Sequence, residues 1–272
     1  MSDGGHPLTY LTSALEANGL NPIPVIGLDQ PSAYQEAVRL AAQKRGVCLR
    51  LRTGTMDYTE AAGIEAFIEA LGASPETTDL VVDFEDVKPD GVNGLVFTQA
   101  GVLGLLPCLE RWRTLTVAAS AFPLDLRDIK PDSSVKIARA EWQAWCRHAS
   151  NQSLKRIPAF GDYGIAHPDY VEIDPRLVKM SAALRYTLDD TWLVAKGRNV
   201  RDYAFDQVHE ICRSIVRLPE FKGAGFSWGD EFIQRCADDQ TGPGNATTWR
   251  QAGTSHHLTL VTQQVASVPD PS

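Results

Sequence analysis

"SAALRYTLDDTWLVAK", residues 181–196, sets two strand-like runs, Ser181–Thr187 and Trp192–Lys196, on either side of Leu188-Asp189-Asp190-Thr191. So short a connection suits a hairpin or a strand extension, because a parallel crossover needs a dozen or more residues and usually a helix. Upstream the pattern differs. From Asn21 to about Tyr163, apolar runs at Pro22–Leu28, Val47–Arg52, Asp79–Glu85, Leu115–Ser120 and Ile157–Asp162 alternate with helical spacing at Ser32–Arg45, Thr59–Leu71, about Thr98–Trp112 and Ser134–His148. Thr59 is the expected N-cap of its helix, and Pro107 is expected to kink the Thr98–Trp112 helix or shift its start.

Strands alternating with helices of about a dozen residues signal βαβ units and a parallel sheet. No G-x-G-x-x-G follows a strand and no Walker loop is present, so the nucleotide-binding sheets lose their best marker. The expectation is therefore an α/β, TIM-barrel-like fold. Downstream, Asp202–Arg217, Trp228–Asp238 and Thr247–Ala266 read as helices, with Ser227 and Thr247 as caps. The chain is expected to be one barrel-like domain over residues 1–272. Residues 1–20 form an N-terminal arm, residues 200–267 a helical C-terminal subregion, and the tail SVPDPS is too short and polar to pack.

Bulk properties narrow the class. The 272 residues carry 43% hydrophobic and 22% charged side chains and a net charge of −8, which argues against indiscriminate binding along duplex nucleic acid but leaves room for a local basic pocket. The five cysteines are odd in number, widely spaced and form no C-x-x-C pair, as expected of reduced, buried thiols. MSDGGHPLTY lacks a signal-peptide pattern, and no apolar run approaches the ~18–20 residues of a membrane span. A cytoplasmic protein is predicted.

Strand alternation splits each strand into two faces. In DLVVDFE, Leu80, Val82 and Phe84 form the apolar face, leaving Asp83 and Glu85 opposite; in VCLRLR, Val47, Leu49 and Leu51 leave Arg50 and Arg52. Arg185 opposes Leu184 and Tyr186, while Lys196 shares a face with Trp192 and Val194. In a barrel the polar faces point inward or toward the mouth, and the chemistry sits at the carboxyl ends of the strands. Asp83, Glu85, Arg50, Arg185 and Lys196 would then share one enclosure, either as a site or as an ion-pair network filling the interior.

"RIPAFGDYGIAHPDY", residues 156–170, adds an acid, a phenol and an imidazole at a strand tip. Gly161 and Gly164 allow a sharp turn around Asp162 and Tyr163, and His167 follows in the same loop. Asp162, His167 and Glu85 are the expected acid–base groups. Asp83, Glu85 and Asp162 are the expected ligands of a divalent metal. Arg185, Lys196, Arg50, Tyr163, Arg250 and His256 would bind the substrate. The pair His256-His257 lacks the i, i+4 spacing of H-E-x-x-H, so one imidazole is expected to reach the site and the other to pack. "RAEW", Arg139–Trp142, would dock a helix by its tryptophan with Glu141 paired to a cation. No G-x-S-x-G is present.

Taken together, "RAEWQAW" (139–145), "IPAFGDYGIAHP" (157–168), "AALRYTLDDTWLVAKG" (182–197), "FSWGDEFI" (226–233), "WRQAGTSHHL" (249–258) and "DLVVDFED" resemble a family known as "beta protein", named for a phage protein and found widely in bacterial genomes. The resemblance implies no established reaction and points to phage–host conflict. It also implies an N-terminal segment, opening with a Tyr-x-Pro-type strand, that this chain lacks. Two βα units would then be missing, leaving six or seven strands and an open side. Leu8–Ala17 would pack across that gap, or a second chain or copy would close it.

Two functions compete. The first is a metal-assisted hydrolase of a phosphate-containing substrate, nucleotide or nucleic acid. The second is a non-catalytic sensor or adaptor that binds a small anionic ligand, with Trp228, Trp249 and Phe232 as partner anchors if exposed. A structural phage component is a third and less attractive reading.

Overall fold

The computed structural model describes residues 5–54, 61–151, 153–169 and 180–268, so Thr59 and the tail beyond Val268 lie outside the described residues. The chain divides into two units that alternate along the sequence. Met1–Glu85, Asn93–Ala119 and Ala144–Gly161 form the first; Asp86–Val92, Ser120–Gln143 and Asp162–Ser272 form the second.

The first unit is built on α1 (Pro7–Ala17), β1 (Val25–Ile26), α2 (Ser32–Ala41), β2 (Val47–Arg52), α3 (Ala61–Ala70), β3 (Thr78–Asp86), α4 (Val92–Leu105) and β4 (Thr114–Ser120). After β5 (Ser133–Ala138) and α5 (Ala140–Ala149), β6 (Ala159–Asp162) completes a parallel five-stranded sheet in the order β1-β2-β3-β4-β6. Val25 pairs with Cys48 and Val47 with Thr78, in parallel register. The expected face split holds: Val47, Leu49, Leu51, Leu80, Val82 and Phe84 are buried. Prolines 22 and 24 lack the N–H a ladder needs, which confines β1 to two residues instead of the expected Pro22–Leu28. Helix α4 ends before Pro107, which disfavours helical backbone in the residue ahead of it; the expected kinked helix at Thr98–Trp112 is corrected accordingly. The N-terminal arm is a helix laid on α2, with His6 edge-on to Tyr34 at 5.5 Å and Lys44 paired to Glu16 at 2.6 Å.

The second unit holds a three-stranded antiparallel sheet, β5-β8-β7, where β7 is Ser181–Thr187 and β8 is Thr191–Asn199. The hairpin expectation is met, with Thr187 opposite Trp192 and Ala183 opposite Lys196. Two expectations are corrected. Ser133–Ala138 is a strand, not the start of a helix: its β-branched Val135 and Ile137 pair along β8, and the helix begins only at Ala140. Among the described residues the parallel strands number five, and β7 and β8 belong to a separate antiparallel sheet, so a closed barrel is not what the strand pairing shows.

Four helices follow: α6 (Val200–Tyr203), α7 (Gln207–Val216), α8 (Trp228–Ala237) and α9 (Ala246–Ser267). Ser227 caps α8 by accepting from the Asp230 N–H. The α9 cap is Asn245, not Thr247; its Oδ1 accepts from the N–H groups of Thr247 and Thr248 at 2.9 and 3.2 Å. One face of the β7–β8 hairpin buries Leu184, Tyr186 and Leu193 with Val208, Ile215, Ile233 and Trp249. Its other face buries Trp192 and Val194 against Phe122, Ile129 and Ile165.

Helix α9 comes close to β7 at Gly253, where an added Cβ would lie 2.6 Å from the Arg185 carbonyl oxygen and 2.8 Å from Ile165 Cδ1. Gly253→Ala should therefore destabilise the protein by about 1–3 kcal/mol. Gly101→Ala, on α4 with nothing within 4 Å of the new methyl, should stabilise it by roughly 0.5–1 kcal/mol. Urea denaturation of both variants checks the contrast.

Candidate functional site

β7 is an edge strand among the described residues, so its outward carbonyls need partners. Helix α9 packs against the strand and supplies one, to the Thr187 carbonyl. Adjacent helical residues project about 100° apart, so His256 and His257 pass to different faces of β7. His256 stacks on Tyr186 at 3.8 Å between ring centroids. Its Nε2 donates to the Thr187 carbonyl oxygen at 2.8 Å and its Nδ1 meets Asp230 Oδ2 at 2.9 Å. Asp230 also accepts from the Tyr186 hydroxyl at 2.7 Å and the Ser227 hydroxyl at 2.6 Å. It is thus an acceptor throughout. Burial pushes the Asp230 carboxyl up, but His256 and Ser227 outweigh it and leave it below the usual range.

His257 faces the other way. Its Nε2 donates to Asp162 Oδ2 at 2.9 Å, and its Nδ1 accepts from the Thr187 hydroxyl at 3.0 Å. Acid, imidazole and hydroxyl stand in the order of a nucleophilic relay. Thr187 and His257 have no exposed surface, however, so the relay holds α9 on β7. Asp162 Oδ1 accepts the Gly164 N–H at 2.9 Å, closing the turn between the glycines. Burial pushes the Asp162 carboxyl up, yet the hydrogen bonds from His257 and the Gly164 N–H prevail and hold it low.

Near Asp162 lies Glu141, a second acid in the opposite state. Its Oε2 accepts the Ala121 N–H at 3.1 Å, while its buried Oε1 has no hydrogen-bond partner among the described residues. Arg139, also fully buried, approaches only to 3.9 Å and spends one Nη on Leu188 O, Asp189 O and Gln264 Oε1. Burial, with Asp162 adding to it, pushes Glu141 up to about 8.

The cations gather elsewhere in the second unit. A cavity of about 430 Å³ is lined by Arg127, Arg185, Lys196 and Arg250 and, among the described residues, by a single acid, Asp125. Arg127 already pairs with Asp125 at 2.6 Å. Arg185 lies over the Phe122 ring at 4.6 Å and donates to Ile165 O at 2.5 Å. Lys196 Nζ donates to Leu126 O at 2.6 Å and Ile129 O at 2.7 Å, leaving one of its three protons. Arg250 is exposed and makes no ion pair among the described residues. Burial, then the nearby Arg250 charge, lower the Arg185 guanidinium to about 9, so it stays protonated at neutral pH beside an uncompensated like charge.

Of the expected site residues, the structure therefore brings Arg185, Lys196 and Arg250 together. Others go elsewhere. Arg50 pairs with buried Asp83 at 2.5 Å, and Arg52 approaches Glu85 at 3.5 Å, all in the first unit. Asp83 Oδ1 also accepts the N–H of Glu85, whose φ of +55° lies in the left-handed region. These pairs resemble the ion-pair network that the strand alternation allowed. His167 faces Asp86 at 3.2 Å and accepts the Asp169 N–H, so the imidazole partner of Asp162 is His257. His256 and His257 are both fully buried, and neither lines the cation cavity. Tyr163 is half-buried and does not line the cation cavity. Among the described residues no group of three or more His, Cys, Asp or Glu could hold a metal ion. Sequence reasoning missed Asp230 altogether and met Glu141 only as an ion-pair partner.

Because Glu141 is neutral in the folded protein, its burial stabilises below the usual 4.5, and that stabilisation is lost as pH rises from 4.5 to about 8. Asp162 acts in the opposite sense, its contribution being lost as pH falls through and below 3.8. Glu141→Gln should therefore flatten the decline in unfolding free energy between pH 5 and 8. Denaturant titrations at several pH values measure it; equal slopes in both proteins would contradict the neutral-acid assignment.

A protein-family model described as Beta protein matches residues 1–263. No curated protein and no solved structure matches the chain. Among the described residues no helix is long and apolar enough to cross a membrane. The match takes in the β7–β8 hairpin, the Asp162 turn and the paired histidines, and the chain belongs to the Beta protein family.

Proposed function

We propose that the protein binds a small anion in the cavity of the second unit and acts as a ligand-binding module. One observation carries the reading: Arg185 from β7, Lys196 from β8 and Arg250 from α9 face one hollow whose only acid among the described residues, Asp125, is already bound to Arg127. Cations without an ion-pair partner among the described residues, on a chain of net charge −8, are an anomaly that an anionic ligand would resolve. Guanidinium forks suit carboxylate or phosphate oxygens, and an anion would relieve the repulsion between Arg185 and Arg250.

Hydrolysis of a phosphate-containing ligand is the second reading. It is favoured by the buried pair of Glu141 and Asp162, one acid pushed up and its neighbour held low, a split that assigns a proton donor and a proton acceptor in many enzymes. Turnover lost in Glu141→Gln and Asp162→Asn while binding persists would favour it over binding alone.

Titration calorimetry with inorganic phosphate tests the binding reading. The wild type should bind, more weakly as salt rises, and Arg250→Ala should weaken binding by about ten-fold or more, the loss of one charge-assisted contact. Absence of phosphate or sulfate binding at low ionic strength would overturn it.

A further inference from the structure

We infer that the ligand is a phosphate monoester carrying an apolar organic group, an inference that rests on the anion-binding reading above. Three features of the cavity point there: charge, size and the chemistry of its remaining wall.

The charge comes first. Four cations face one acid that Arg127 already occupies. A carboxylate brings a single negative charge, whereas a phosphate monoester carries about −1.5 to −2 at pH 7 and three acceptor oxygens. Lys196 and Arg250 retain donors, and Arg185 already spends one of its own on Ile165 O. A dianion fits this excess better than a monoanion.

The cavity has more room than inorganic phosphate fills. The cavity measures about 430 Å³, within the range of roughly 300–1,000 Å³ typical of organic ligands. Ser181, Ala183 and Arg185 alternate along one face of β7, and Ala183 sits opposite Lys196. Small side chains at 181 and 183 therefore keep the space beside the cations open.

The rest of the wall is apolar. Leu124 is 50% exposed and Met180 38% exposed, both lining the cavity together with Leu126 and Ala246. Neutral polar groups are scarce. Trp249 also lines the cavity, but its Nε1 is committed to Pro243 O at 2.7 Å. Ser181 supplies the one neutral hydroxyl on the lining among the described residues. A sugar or a base edge would find few partners to read it, whereas an apolar group would cover Leu124 and Met180.

The test compares four probes by titration calorimetry: inorganic phosphate, glycerol phosphate, 1-naphthyl phosphate and 1-naphthoate. Naphthyl phosphate should bind about ten-fold tighter than glycerol phosphate, the effect of burying roughly 60 Å² of apolar surface. It should also bind tighter than naphthoate, which lacks the second charge. Leu124→Ser should erase most of the preference for the naphthyl group and leave inorganic phosphate affinity unchanged. Equal affinity for all three phosphates, or tighter binding of glycerol phosphate, would overturn the apolar assignment while leaving anion binding intact. Naphthoate matching naphthyl phosphate would overturn the phosphate assignment. No binding by any probe would overturn both readings at once.

Discussion

The second unit depends on how α9 seals the edge of β7. An antiparallel sheet that ends in β7 leaves carbonyls facing outward, and burying them unpaired would be costly. Thr187 is the fixing point: its carbonyl accepts from His256 and its hydroxyl donates to His257. Asp230 and Asp162 hold the two imidazoles from behind. Gly253 then brings the helix backbone against the Arg185 carbonyl. Helix and strand run side by side: the seven steps from Arg250 to His257 rise about 10 Å along α9, and the two from Arg185 to Thr187 about 7 Å along β7.

That alignment places the cations. Arg250 lies two turns before His257 on the same side of α9, as Arg185 lies two residues before Thr187 on the same side of β7. Seating His257 on Thr187 therefore carries Arg250 toward Arg185, although 65 residues separate them in the chain. The hairpin register adds Lys196 opposite Ala183. A charged hollow in an acidic protein is thus a consequence of edge capping, with the buried acids and histidines serving as its foundation.

Much of this was legible from the sequence, because local rules were in command. The alternation in VCLRLR and DLVVDFE marked the buried faces, the four-residue connection in SAALRYTLDDTWLVAK marked the hairpin, and Asp162 between two glycines marked a built turn. Arg185, Lys196 and Arg250 were singled out as ligand-binding, and they do converge. What failed was the continuation of the strand–helix alternation past Ser120. It read Ser134–His148 as one helix, since nothing local announces that β8 will offer its second edge to Ser133–Ala138. Asp83 and Glu85 are held by Arg50 and Arg52, as the ion-pair reading of those strands allowed. The partner of Asp162 lies 95 residues away at His257, and only tertiary packing decides which of two adjacent histidines turns toward it.

The most direct measurement is a crystal structure of the protein grown in phosphate. Edge capping predicts both His256 and His257 on Thr187, and an anion within hydrogen-bond distance of Arg185, Lys196 and Arg250. An empty cavity with Arg250 drawn to a carboxylate of its own chain, or α9 seated away from the β7 edge, would contradict it.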